Sequence, residues 1–151
     1  MFTTVRYFIK TSLAFLFVGI TTGLYLSVER HVLNRGISPD LVSAHAHLIL
    51  AGSVMMMIMG VALWLFPKVL TEDTRYNPDL IRFAYWLMTI ATSVRFLSQA
   101  TVALVELREL RWFITASSTF QVVAFGLYFY SMWGRIRAAG SAQREANGEK
   151  F

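Results

Sequence analysis

Four long apolar segments place the strongest constraint on the fold of this 151-residue chain. Apart from Arg95 in the third, none contains Asp, Glu, Lys or Arg; the segments run from Thr11 to Val28, Leu41 to Pro67, Phe83 to Val105 and Trp112 to Gly134. About 20 apolar residues in a helix cross the roughly 30 Å hydrocarbon core of a bilayer. The sequence therefore predicts an all-α integral membrane four-helix bundle in the lipid bilayer, with helices over approximately 8–28, 41–66, 79–105 and 112–134.

Composition and charge exclude several other classes. The chain has 56% hydrophobic residues and a net charge of +5. In a soluble protein this charge would suggest a nucleic-acid partner, but here the basic residues lie in loops and tail, so we expect no nucleic-acid binding. More Lys and Arg residues flank the side that holds both chain ends, which predicts cytoplasmic N and C termini. Residues 1–134 form the predicted transmembrane domain, and the polar segment 135–151 is expected to fray.

The histidine pair His45-Ala46-His47 lies inside the second apolar segment. Ionisable groups inside membrane helices are costly and are functional candidates for that reason. Successive α-helical residues turn by about 100°, so the two imidazoles point about 200° apart and one metal atom cannot bind both. The chain has no cysteine, which excludes thioether-attached haem and thiolate-bound clusters. Chelation of copper is disfavoured for the same reason, because histidines at positions i and i+2 of a helix point away from each other.

Small residues beside the histidines have two interpretations. On a continuous α-helix Gly52 lies seven residues after His45 and therefore on nearly the same face. Small residues leave room for a flat macrocycle, but they also allow ordinary close packing of membrane helices. The histidines themselves are either metal ligands or interhelical hydrogen-bond donors.

The second segment resembles the haem-ligating helices of the haem-copper oxidase catalytic subunit and its nitric oxide reductase relatives. The similar residues are Ala44-His45-Ala46-His47-Leu48-Ile49-Leu50, Ile58-Met59-Gly60 and Phe66-Pro67. In the family's His-x-His helix the first histidine ligates the high-spin haem and the second the low-spin haem. His45 also matches the single histidine of the family's second helix, the other axial ligand of the low-spin haem. The resemblance implies haem b as cofactor, with His45 and His47 as metal ligands.

The chain departs from that family in two respects. Oxygen reduction there needs three further histidines for copper and a nearby tyrosine, whereas only His31 is left in this chain, so a complete oxidase is not expected. The family's subunit has twelve helices in three arcs of four, and this chain resembles one arc. We therefore expect a homo-oligomer, a trimer first and a dimer second, in which His45 of one protomer meets His47 of the next.

Other polar residues are candidates for the surroundings of the haem. Arg95 lies near mid-membrane with Gln99 on the same stripe, and is expected either to tune the haem potential or to form hydrogen bonds to carbonyls or Gln99. Arg108 and Arg111 lie between the third and fourth helices, where the resemblance places propionate-binding arginines. The alternative for these two is a solvated charged loop.

These observations lead to one functional hypothesis and one rival. The protein is expected to be a b-type haem protein of the cell inner membrane that transfers electrons from a respiratory donor or binds a diatomic gas, NO or O2. The rival is a haem-free accessory or assembly subunit of a respiratory membrane complex, in which the histidines serve helix packing.

Overall fold

The computed structural model describes residues 2–66, 75–105, 107, 109–136 and 147–148. These residues contain helices and no strand. The helices are α1 (Phe2–His31), α2 (Pro39–His47), a π-helical segment (Leu48–Met55), α3 (Met56–Leu65), α4 (Pro78–Leu104) and α5 (Leu110–Met132), followed by the 3₁₀ turn Trp133–Arg135.

The second of four candidate membrane spans, Pro39–Leu65, consists of α2, the π segment and α3 without interruption. The other three spans are Thr3–His31, Pro78–Leu104 and Leu110–Arg135. Each is long and apolar enough to cross a bilayer. The prediction of an all-α, multi-pass membrane protein with four spans is confirmed, whereas the orientation of the termini stays a prediction.

Local sequence signals account for the helix ends. Asn77 caps α4, because its Oδ1 accepts hydrogen bonds from the backbone N–H groups of Asp79 and Leu80 at 2.9 and 3.3 Å. Pro78 takes the first position of that helix, as Pro39 does in α2. α3 stops at Leu65, and Phe66, the residue before a proline, has the extended backbone that such a position favours.

The packed core lies at the end of the bundle where α1 begins and α5 ends. Phe8 is fully buried and meets the rings of Tyr85 on α4 and Tyr128 on α5, at centroid distances of 5.1 and 5.9 Å. Met56 and Met59 are buried in the same cluster, as expected for flexible side chains that fill gaps. We call this the core end.

The opposite end, which contains α2, has a different interior. Its buried positions are mostly small or polar, beside three apolar ones; they are Ala44, Ser98, Gln99, Ser117 and Gln121, with Leu26, Leu48 and Val102. None of these eight belongs to the hydrophobic cluster of the core end. The half of the bundle that contains the histidines, the histidine end, is therefore packed with fewer large apolar side chains.

Arg135 lies at the core end and is buried, although the sequence places it at the start of a polar tail. Its guanidinium donates to the carbonyl oxygens of Leu63 and Phe66 at 3.0 and 2.7 Å and lies 5.0 Å from the centroid of the Tyr76 ring. These carbonyls end α3 and have no intrahelical donor, so Arg135 satisfies them. The assignment of Arg135 to the fraying tail is wrong; residues 137–146 and 149–151 lie outside the described part of the chain.

Candidate functional site

His45 lies against α1, at two glycines one helical turn apart. Its Nδ1 is 2.9 Å from the carbonyl oxygen of Gly19. A Cβ atom at Gly23 would be only 2.8 Å from His45 Cε1, so the ring occupies the space that a side chain there would take. Gly19 and Gly23 form a G-x-x-x-G pair, a pattern that lets membrane helices approach closely. The pair thus creates the seat of the His45 ring.

His47 lies on the side of α2 that faces α4. Its Nδ1 is 2.9 Å from the carbonyl oxygen of Ser43, one turn earlier in the same helix, and 3.5 Å from the Ser43 hydroxyl. The same hydroxyl accepts a hydrogen bond of 2.9 Å from Nε2 of Gln99 on α4. His45 therefore contacts α1 while His47 is linked towards α4, which agrees with the opposite directions expected from their spacing.

The two imidazoles share one protonation pattern. A carbonyl oxygen only accepts hydrogen bonds, so Nδ1 is the donor in each ring, and in the neutral imidazole Nε2 then holds the lone pair. Within the described residues neither Nε2 forms a hydrogen bond. Metal-ligating histidines in proteins commonly donate their other ring N–H to a backbone carbonyl in this way. In the neutral form of each ring, Nε2 is therefore the nitrogen left for a ligand.

The π segment begins at the residue after His47 and changes the register of the helix. Its i→i+5 hydrogen bonds rotate the chain less per residue than an α-helix does, so seven residues no longer return to the same face. A Cβ atom at Gly52 would lie 2.8 Å from Thr92 Cγ2 and 3.0 Å from Phe15 Cδ2. In this structure the missing side chain of Gly52 allows close packing with α1 and α4, and its place beside a haem stays a prediction.

Arg95 is directed towards α5. Its Nη1 donates to Gln121 Oε1 at 3.2 Å, and Gln121 Nε2 donates to Thr92 Oγ1 at 3.0 Å. Gln99, four residues from Arg95 on α4, is hydrogen-bonded to Ser43 beside His47. Arg95 and Gln99 thus belong to two neighbouring polar clusters. Neither the oxygen nor the nitrogen of the Gln99 side-chain amide forms a hydrogen bond with Arg95.

Of the two arginines between the last two spans, Arg111 lies within the described residues. Arg111 is exposed and lines a cleft of about 610 Å³ at the histidine end, together with Ser38, Asp40 and residues 102–104. The cleft is open to the first residues of α2, the helix that carries both histidines. Arg108 lies outside the described residues. Propionate binding by either arginine stays a prediction.

Three contributors to the site were missed from the sequence. Ser43 and Gln121 are single polar residues in apolar segments and give no sequence signal of their partners. The glycine pair Gly19 and Gly23 does give one, since G-x-x-x-G in an apolar helix marks a contact face. That pattern predicts that this face of α1 packs closely against another span, and in the structure it packs against α2 at His45.

The fold and site define a four-span membrane protein whose second span carries two histidines, each with Nδ1 on a backbone carbonyl. The family model described as cytochrome c and quinol oxidase polypeptide I matches residues 39–139. The match covers more than half of the chain and includes His45 and His47, so the protein belongs to this haem-copper oxidase family. Comparison with curated proteins and with solved structures gave no match.

Proposed function

We propose that the protein binds haem b through His45 and His47 and acts in the membrane as an electron carrier or as a binder of a diatomic gas. The observation that carries this proposal is the common geometry of the two rings, each with Nδ1–H fixed on a backbone carbonyl at 2.9 Å and Nε2 available. Membership of the cytochrome c and quinol oxidase polypeptide I family supports it, because the matched residues include both histidines.

The residues present fit a haem as two half-sites. His45 and His47 lie on opposite sides of α2, so one chain offers one axial ligand in each of two directions. Among the described residues, no group of three or more His, Cys, Asp or Glu side chains could bind a metal ion. When bound, a haem supplies one-electron redox chemistry and, if its sixth position is open, binding of NO or O2. The chain's own residues orient the two ligands.

The two half-sites favour sharing of the haem between protomers. In a closed ring every protomer presents one face to each neighbour, so His45 of one copy can meet His47 of the next. We propose a homotrimer first and a dimer second, in the cell inner membrane with both termini cytoplasmic.

Bis-histidine ligation separates the two roles of the haem. A filled sixth position favours electron transfer from a respiratory donor, whereas a five-coordinate haem favours gas binding. Arg111, at the mouth of the cleft, and Arg108 supply cations for propionates. Arg95 places a positive charge within the span and favours the reduced haem, which carries one more electron.

The test is a pyridine haemochrome assay on the purified protein, with a carbon monoxide difference spectrum. The haemochrome assay identifies the haem type. In the reduced spectrum of the native protein, sharp α and β bands that carbon monoxide leaves unchanged indicate the six-coordinate electron carrier, and a carbon monoxide shift indicates the gas site. Light scattering of the haem-loaded protein in detergent should give the mass of an oligomer. A haem-loaded monomer with a bis-histidine spectrum would contradict sharing between protomers.

One specific observation favours the alternative of a haem-free accessory subunit. The His45 Nδ1 contact with Gly19 is an interhelical hydrogen bond, which is what a packing role requires. Purified protein without a Soret band, after expression in cells supplied with haem, would establish this alternative over the haem protein.

A further inference from the structure

A line of buried and half-buried polar side chains runs along α4 at the histidine end. At one end Thr92 accepts from Gln121, which in turn accepts from Arg95. At the other end Gln99 donates to Ser43, whose hydroxyl is 3.5 Å from His47 Nδ1. Between the two clusters the line is interrupted, because no hydrogen bond joins Arg95 to Gln99.

The two residues at this interruption each have one buried side-chain atom without a hydrogen-bond partner. These atoms are Nε of Arg95, a donor, and Oε1 of Gln99, an acceptor, and they are the buried side-chain atoms without a hydrogen bond in the described part of the chain. Gln99 is 4% exposed, so bulk solvent does not satisfy it. Buried polar groups in proteins are nearly always paired with protein or with ordered water. This pair of atoms therefore requires a ligand.

We infer that a bound water molecule bridges Arg95 Nε and Gln99 Oε1 and completes a hydrogen-bonded chain from Thr92 to Ser43, which positions the His47 ring. Arg95 and Gln99 are four residues apart on α4 and therefore neighbours on one face of the helix, with Cβ atoms about 5–6 Å from each other, so both side chains can reach one water molecule. Water is the ligand that matches the two ends, because it accepts from the guanidinium and donates to the amide oxygen.

The charge of Arg95 supports water rather than an apolar filling. No carboxylate within the described residues forms an ion pair with Arg95, and its guanidinium has one hydrogen bond, to a neutral amide. A guanidinium inside a membrane span is costly unless polar groups surround it. A water on Nε adds a second polar partner. It also fixes the Gln99 side chain, which then holds the Ser43 hydroxyl beside His47.

The experiment uses full-length protein without haem, reconstituted in phosphatidylcholine bilayers and labelled with ¹⁵N at arginine Nε. Water-edited solid-state NMR detects N–H groups in contact with water, and the Arg95 signal is identified by its loss in Arg95→Leu. We expect transfer from water to the Arg95 signal in the wild type and its loss in Gln99→Leu. No transfer in the wild type, or equal transfer in Gln99→Leu, would overturn the inference.

Matched variants separate the bridge from general effects of substitution. Ser98→Ala removes a buried polar group from the adjacent position of α4 and should leave the Arg95 signal unchanged. Gln99→Met, which keeps the length of the side chain, replaces Gln99→Leu if the latter does not fold. Loss of transfer in Ser98→Ala as well would contradict a bridge at Gln99.

A second measurement tests the link to His47. In protein labelled with ¹⁵N-histidine, Ser43→Ala should move the ring signal of His47 and leave that of His45 in place, whereas Ser43→Thr keeps the hydroxyl and should restore it. An unmoved His47 signal in Ser43→Ala would exclude Ser43 as a positioning residue. Because neither measurement needs haem, failure here is distinct from failure of the haem proposal.

Discussion

The carbonyl oxygen of Gly19 on α1 is 2.9 Å from Nδ1 of His45 on α2, and this contact joins the two helices at the centre of the candidate site. It fixes which ring nitrogen carries the proton. The approach is possible because Gly23, one turn further along α1, has no side chain to displace the ring. α1 is therefore part of the site although it contributes no ligand.

Substitution of Gly23 should disturb the His45 ligand. In Gly23→Ala the new Cβ would lie 2.8 Å from His45 Cε1, so ring or helix must move. Since misplacing a metal ligand through its surroundings commonly costs 10–100-fold in affinity, we expect haem affinity to fall by about tenfold or more. Haem titration followed at the Soret band measures it. Gly126→Ala is the control, because a Cβ there meets no atom within 4 Å. Equal haem affinity in both variants would contradict the role of Gly23 in placing the His45 ring.

The charge of Arg95 should set the haem potential. In Arg95→Leu the reduced haem loses a nearby positive charge, so the midpoint potential should fall, by about 60 mV if the charge contributes a tenfold preference for one electron. Potentiometric titration of the visible spectrum measures the shift. Gln121→Leu removes the hydrogen-bond partner of Arg95 but no charge, and should produce a smaller change. An unchanged potential in Arg95→Leu would remove this residue from the haem environment.

Arg135 should stabilise the core end. In Arg135→Met two carbonyl oxygens at the end of α3 lose their donor, and hydrogen bonds from charged groups contribute about 1.5–3 kcal/mol each. We expect the free energy of unfolding to fall by about 3 kcal/mol, measured by denaturant unfolding in detergent. The comparison is Arg82→Met, which breaks an exposed ion pair with Asp79 worth about 1 kcal/mol or less. Equal losses in the two variants would contradict the role of the buried guanidinium.

Much of the fold follows from the sequence because apolar length alone decides where a chain can cross a bilayer. The starts of α2 and α4 are equally local, because Pro39 and Pro78 each take a first helical position, which proline favours. α1 begins at Phe2, earlier than the predicted start near residue 8. An apolar run marks the part of a helix in lipid and not the more polar turn that extends it. The π segment was not predicted, because the α-helical period was assumed throughout the second span.

The site was only partly predictable for a related reason. Helical phase separates His45 from His47 whatever surrounds them, and the contacts with α1 and towards α4 agree. The partners of buried polar groups depend on which spans are neighbours. Arg95 could have bonded to Gln99 on its own helix, but the packing of α4 on α5 brings Gln121 closer to it. Similarly, burial of Arg135 depends on the end of α3, which is distant in sequence.

Single histidine variants should show that both residues bind haem. His45→Ala and His47→Ala each remove one Nε2 ligand, and we expect each to lose the bis-histidine spectrum, with a carbon monoxide-reactive, five-coordinate haem or none in its place. Reduced spectra with and without carbon monoxide measure this. His31→Ala is the control, because His31 is exposed in the last turn of α1. Retention of the wild-type spectrum by His45→Ala or by His47→Ala would contradict haem ligation by that histidine.

Co-expression of His45→Ala with His47→Ala, each carrying a different tag, tests most directly whether the haem is shared between protomers. A mixed oligomer places an intact His47 from the first chain opposite an intact His45 from the second at one interface. After purification through both tags, the account predicts that the reduced spectrum regains the sharp α and β bands that neither variant shows alone. A doubly tagged oligomer that lacks these bands, beside a wild-type protein that has them, would contradict the interface site.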